Sequence, residues 1–360
     1  MLKISTLSDI TNFISHKPEI KVLERDNMFI VDYEYVTSTT FDSPQALECR
    51  GIKFDSRKDI IARPFHKFFN LGEPGCPVNR SDSSQRFSLL EKDDGSMVHT
   101  CIPMYSPLCL MTRRGLTDQA FAATELLYRK YPKFVKQFEN SFYHTHMFEY
   151  VGPSNPHIEH YQEDKLIYLG SREMYWGDYY TFFTSPAAFE KRFEFSVSKK
   201  YFTNLATLKD VEDCIKPMQV GEGFVLYEGA MPVAKIKTDL YLSKHRVKDS
   251  LSNREALVQL ILEDGLDDLL PLLDLEKQKQ LSSFRDSVVK QFYDRLQSVE
   301  TVVRDFVDKG GPRREFALNI VDTYPQWVRA AYFGALDQKD YVNILKNCFI
   351  KYNEHLGDIE

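Results

Sequence analysis

The chain has 360 residues, 43% of them hydrophobic and 13% aromatic, which is enough for two domains with packed cores. Its formal net charge of −6 excludes a uniformly basic nucleic-acid binder; such a protein must gather its Lys and Arg on one surface. No apolar run reaches membrane-spanning length and MLKISTLSDITNF has no signal-peptide core, while Cys49, Cys76, Cys101, Cys109, Cys214 and Cys348 form no CxxC pair, so the expectation is a cytoplasmic protein with reduced thiols and no zinc ribbon.

The first two thirds read mostly as strands. The predicted strands are 28–36, 47–55, 59–65, 87–92, 97–102, 108–114, 146–152, 165–173, 223–229 and 233–239. Each is short, rich in β-branched or aromatic residues, and bounded by Gly, Pro, Asp or Ser. One helix interrupts them, capped by Thr117 and running until Pro132. From about residue 250 the period becomes helical. Ser252 and Glu255 form a capping-box pattern, and 276–309 reads as one long amphipathic helix ended by Gly310-Gly311-Pro312. Segments 314–324, 326–336 and 340–356 also read as helices. The predicted boundaries are therefore 1–245 and 246–360, an α+β domain followed by an all-α one.

The stretch LLEKDDGSMVHT, residues 89–100, has two readings. Asp93, Asp94 and Gly95 suit a hairpin turn. Lys92 also suits a nucleophile at the lip of a pocket. A lysine amine attacks only when neutral, and holding it neutral at pH 7 costs about 4.6 kcal/mol, from roughly 3.4 pKa units. Such a site must supply nearby positive charge, desolvation or a metal, and Lys235 and Lys237, two apart on a predicted strand, share one face. A hairpin turning at Glu228-Gly229 would bring Glu222 close to Lys237. Glu149 lies in an otherwise apolar strand, either on a wet face or in a site. Gly51, after Arg50, permits close backbone approach of a ligand. His144 and His146, with His157 and His160 nearby, read as a hydrogen-bonded or solvent-facing set rather than a metal cluster. The basic stretches SVSKKYF (196–202) and SKHRVK (243–248) read as solvated faces or as tracks for a nucleic-acid backbone.

Five segments in order resemble the motifs of covalent nucleotidyltransferases: the KxDG of Lys92 to Gly95, Glu149 in FEY, KLIYLGSRE, Glu222-Gly223-Phe224, and KIK with Lys235 and Lys237. LECRGIKFD, ARPFHKFFNLGEP, Tyr241 in KIKTDLYLSKH and EDGLDDLL narrow the resemblance to the bacteriophage RNA ligase 1 family, over about residues 25–275.

This resemblance implies an ATP-grasp-like nucleotidyltransferase domain of antiparallel sheets with flanking helices, then the α-helical domain. It implies an ATP-dependent RNA ligase that joins 5′-phosphate and 3′-hydroxyl ends through lysyl-AMP and RNA-adenylate. Lys92 would be the nucleophile, with Lys235 and Lys237 on the α-phosphate, also disfavouring protonated Lys92. Glu222 and Glu149 would hold Mg²⁺, for which Mn²⁺ can substitute. Arg50, Lys67, Asp94, Gly95, Glu149, Glu222, Lys235, Lys237 and Tyr241 would line the nucleotide site, with Asn70 beside Lys67. The family also suggests tRNA repair, a monomer with no membrane partner, residence in the host cytoplasm if phage-encoded, and RNA selection by residues 246–360. DNA-end or protein-directed adenylyltransfer, and a nucleotide-binding scaffold without turnover, are the alternatives. The helical sequence after Lys237 sets the chain apart from ligases that carry an OB domain there.

Overall fold

A computed structural model describes residues 2–103, 106–139, 143–157, 159–180, 186–219, 221–244, 253–268, 270, 273 and 275–356. Its chain divides into two compact units, one of residues 1–35 and 39–245, the other of 36–38 and 246–360.

The first unit begins with helix α1 (Ser8–Ile14) and strands β1 (Ile20–Arg25) and β2 (Met28–Tyr33). Helix α2 (Pro44–Glu48), β3 (Arg50–Asp55) and β4 (Ile60–Ala62) follow. The four strands form an antiparallel sheet in chain order. The strand expected from residue 47 starts only at Arg50. Ser43 caps a short helix there by accepting from the Ala46 N–H, and Pro44 fits its first turn.

The chain then gives β5 (Phe69–Asn70), β6 (Phe87–Lys92), β7 (Ser96–Cys101), β8 (Cys109–Met111), α3 (Asp118–Lys130), α4 (Pro132–Phe138), β9 (His144–Val151) and β10 (Lys165–Glu173). It continues with β11 (Tyr179–Tyr180), α5 (Pro186–Phe193), β12 (Ser196–Val197), β13 (Lys200–Phe202), α6 (Leu208–Ile215), β14 (Gly223–Glu228), β15 (Met231–Lys237) and α7 (Asp239–Lys244). Thr117 caps α3 as expected. Pro132 does more than end that helix, since it occupies the first turn of α4.

Two further sheets result. One runs β11-β10-β9-β7-β8, with β12 parallel on β10; the other runs β13-β6-β14-β15-β5, with β5 parallel on β15. The sheets are otherwise antiparallel. Strands β6 and β7 fall in different sheets, so Lys92 to Gly95 is not a hairpin turn but a crossing between sheets. Helices α3 and α4 cover one face of the β7–β10 sheet around Leu127, Phe134, Phe148 and Leu166. Helix α6 covers one face of the β6 sheet, where Leu208, Val211 and Ile215 meet Leu89, Leu226 and Ile236. The opposite face of that sheet carries Lys92, Lys235 and Lys237. Buried Glu48 ties α2 to β10: its carboxylate pairs with Arg63 at 2.9 Å and Arg172 at 2.6 Å. Burial opposes its ionisation, but the two guanidinium groups outweigh it and bring its pKa down to about 2.

The described elements of the second unit are all helical: α8 (Arg254–Leu262), α9 (Leu275–Lys309), α10 (Arg313–Thr323), α11 (Arg329–Leu336) and α12 (Tyr341–Lys351), with short 3₁₀ turns. Helix α9 has 35 residues and buries Leu281, Phe284, Val288 and Phe292 along one stripe. Phe292 meets Phe349 of α12 edge-on at 5.3 Å. Ser38, which groups with this unit, donates its hydroxyl to Asp286 at 2.6 Å. Asn253 caps α8; Ser252, expected there, lies outside the described residues, as does most of SKHRVK. No described helix is long and apolar enough to cross a membrane.

Candidate active site

The site is built on the face of the β6 sheet opposite α6, where Ser88, Val225 and Tyr227 are buried. Gly223 of β14 lies opposite Lys92 on one side and Lys237 on the other. Residues opposite one another in an antiparallel ladder point to the same face. Glu222, just before the start of β14, reaches both lysines: Oε2 is 2.6 Å from Lys92 Nζ and Oε1 is 3.2 Å from Lys237 Nζ. Lys235 lies opposite Val225, which lies opposite Leu90, so it shares this face, beside Asn70 of β5. The hairpin register expected between Glu222 and Lys237 is the one observed.

A chain of contacts returns to the crossing after Lys92. The Lys237 ammonium lies 5.0 Å over the Tyr241 ring, and the Tyr241 hydroxyl donates to Asp94 at 3.0 Å. Asp94 also accepts from the Glu159 N–H at 2.9 Å. Its own N–H donates to the Tyr161 hydroxyl at 3.2 Å, and Ser198 donates to Asp93 at 2.6 Å. Tyr241 and Asp94 are thus buried supports of the site. Gly95 is required by packing, because a Cβ there would sit 2.4 Å from the Tyr150 carbonyl and 3.1 Å from Glu149. Gly51 has φ +83° and admits the Arg113 backbone, so its close approach serves the protein's own chain.

Glu149 of β9 is 8% exposed, which places it inside the protein rather than on a wet face. Burial is the main force pushing its carboxyl up to about 8; Lys92 opposes it, and Glu222, Asp93 and Asp94 reinforce it. Lys92 behaves the opposite way. Burial lowers its pKa, but Glu222, Glu149 and Asp94 outweigh that and raise it above the ordinary lysine range. The expectation that neighbouring lysines disfavour protonated Lys92 is not met in this structure, because carboxylates dominate its surroundings and Lys237 is turned onto the same Glu222.

Lys67 is buried between the Phe41 and Phe69 rings, each 5.3 Å from its ammonium, and 3.8 Å from Glu73. Glu73 also accepts from the Asn70 N–H at 2.7 Å. Arg50 lies 6.0 Å over the Phe68 ring. Sequence reasoning missed Tyr161, Ser198 and Glu73. Only Glu73 carried a local signal, as an acid three residues after Asn70. His146 is buried against Phe134 and Phe138, at 5.1 and 4.4 Å. Among the described residues no cluster of three or more His, Cys, Asp or Glu is arranged to hold a metal.

The two site carboxylates still suit Mg²⁺, which commonly uses one or two carboxylates together with substrate phosphates. Burial chiefly keeps the Glu149 carboxyl protonated, with Glu222, Asp93 and Asp94 adding to it, and a cation between the two carboxylates would favour its ionised, metal-binding form.

Residues 48–250 match the profile of a protein family described as RNA ligase. The chain is 28% identical over 303 residues to a putative bifunctional polynucleotide kinase/RNA ligase of Autographa californica nuclear polyhedrosis virus, covering 77% of this chain and 41% of that protein, so it spans less than half of that relative's length. It is 27% identical over 303 residues to a putative RNA ligase of Thermovibrio ammonificans, covering 81% of this chain and 78% of that one. A solved archaeal ATP-dependent RNA ligase superposes with a TM-score of 0.47 at 14% identity, covering 83% of this chain and 80% of that chain. The resemblance read from the ordered motifs is borne out by the profile match, which covers more than half of the sequence and includes Lys92, Glu149, Glu222, Lys235 and Lys237: the chain belongs to the RNA ligase family.

Proposed function

We propose that the protein joins 5′-phosphate and 3′-hydroxyl RNA ends at the cost of ATP, with Lys92 as the nucleophile. The observation that carries this is the single Glu222 carboxylate held by Lys92 and Lys237 from the two strands that flank β14. In the first step the Lys92 amine attacks the α-phosphorus of ATP. A P–N bond forms, the bond to the pyrophosphate oxygen breaks, and pyrophosphate leaves. The ammonium must first lose a proton, and Glu222 Oε2, 2.6 Å away, is the adjacent acceptor. Lys235 and Lys237 offset charge on the α-phosphate oxygens. AMP then passes to the RNA 5′-phosphate, and a 3′-hydroxyl displaces it.

Mg²⁺ or Mn²⁺, held by Glu222 and Glu149, would supply phosphate shielding. Asp94 and Tyr241 brace the site, Arg50 and Glu149 contact the nucleotide sugar and phosphate, and Lys67 lines the nucleotide site beside Asn70. The proposal extends to a monomer, to residence in the cytoplasm, which the six free thiols support, and to broken tRNA as the substrate selected by the helical unit.

The test is incubation with α-labelled ATP and Mg²⁺. One AMP per chain should attach through an acid-labile, base-stable bond, and Lys92→Ala should abolish it. An adduct persisting in that variant refutes the assignment. Chasing the adduct with 5′-phosphorylated RNA or DNA separates RNA ligation from DNA-end or protein-directed transfer. An intact fold with no adduct favours the scaffold.

A further inference from the structure

We propose that β13 is a stacking platform for the single-stranded RNA end that meets Lys92, an inference that rests on the ligase reading above. Strand β13 is the edge of the sheet that carries the nucleophile, and it pairs directly with β6. The register puts Lys200 opposite Leu90 and Phe202 opposite Ser88. Leu90 and Ser88 are two and four residues from Lys92 on the same strand, so their side chains share its face. Lys200 and Phe202 therefore extend the face of Lys92, Lys235 and Lys237 out to the sheet's rim. From strand geometry their backbones lie about 8 Å and about 14 Å from that of Lys92, within reach of the first few nucleotides of an RNA end.

The side chains there suit a polyanion carrying flat bases. Phe202 is 79% exposed, unusual for a phenylalanine on a strand, and the Lys200 ammonium sits 5.2 Å over its ring. The Lys199 side chain is 75% exposed. Tyr201 points to the other face and fixes the strand: its hydroxyl donates to Glu91 at 2.7 Å and its ring meets Phe224 edge-on at 5.8 Å. Just before the strand, the hydroxyl of Ser198 is bound to Asp93, next to the nucleophile. An exposed aromatic with lysines on an otherwise pinned edge gives what base stacking and phosphate pairing require, without a sequence code.

The test uses the full-length protein and a short 5′-phosphorylated single-stranded RNA. Two readouts are taken: RNA affinity across a salt series, and the amount of AMP adduct formed with ATP. Phe202→Ala should weaken RNA binding about 10-fold, within the range for losing one base–aromatic stack, with adduct formation unchanged. Phe202→Trp should restore affinity. Lys200→Ala should lower the slope of log affinity against log salt by about 0.7, as expected for one phosphate contact to a single strand. If both alanine variants bind RNA like the wild type while forming the adduct, the platform is wrong. Loss of the adduct in Phe202→Ala also overturns it, since the residue would then serve nucleotide chemistry or folding. Absence of an adduct in the wild-type protein refutes the ligase reading instead, so the two failures are distinguishable.

Discussion

Glu149 and Lys92 each hold a proton at neutral pH, and the reason differs. Lys92 keeps its charge because carboxylates surround it; Glu149 stays neutral because burial outweighs the lysine beside it. The sign of the stability effect follows. The Glu149 carboxyl titrates near 8 in the folded chain against an ordinary 4.5. Between those values the folded chain binds a proton that the unfolded chain releases. Its contribution is thus fully present below about 4.5 and lost as pH rises through about 8. Glu149→Gln mimics the protonated form and removes that dependence. The melting temperature of the variant relative to wild type should rise steadily between about pH 5 and about pH 9. Thermal melts across that range check this; a constant difference means Glu149 is ionised throughout.

At the scale of elements, the β14–β15 hairpin sets the spacing of the site's charges. Because Gly223 faces both Lys92 and Lys237, one residue of slip would turn both Lys235 and Lys237 to the α6 side of the sheet. Lys237→Ala keeps the ladder and removes the charge. It should slow adduct formation by about 10²-fold, in the range for losing one oxyanion donor. The rate is measured per folded molecule, by circular dichroism alongside the adduct assay; an unchanged rate makes the hairpin purely structural. This hairpin was legible in the sequence, since alternation and Gly229 fix its turn. Strands 87–92 and 165–173 were legible to the residue for the same reason. Strands β5, β11, β12 and β13 were not, because two or three residues show no period. Helix α1 and strand β1 were also missed, and α2 replaced part of a predicted strand. The motif residues were legible because their spacing is local. Ser198 and Tyr161 were not, because their contacts to Asp93 and Asp94 join residues 105 and 67 apart.

At the scale of the whole molecule, Lys92, Arg50, Glu149, Glu222, Lys235 and Lys237 all belong to the unit that ends at His245. On the proposed assignment, a chain ending there should still form the AMP adduct. It should lose preference for a folded tRNA with a broken loop over a short unstructured RNA with the same ends. The ratio of the two sealing rates, measured at one fixed salt concentration for full-length and shortened chains, checks this, and an equal ratio in both removes the helical unit from substrate choice. The carboxylate shared by two ammonium groups bears on how far loading can proceed. On the proposed chemistry, AMP transfer converts the Lys92 cation into an anionic phosphoramidate, a change of two charge units at one side chain. At an effective dielectric of about 20, each unit acts on an anion about 5 Å away with roughly 3 kcal/mol. Loading consumes the single nucleophilic amine, so one nucleotide attaches; the added negative charge favours departure of pyrophosphate, and the Glu222 oxygen that had faced Lys92 loses its cation.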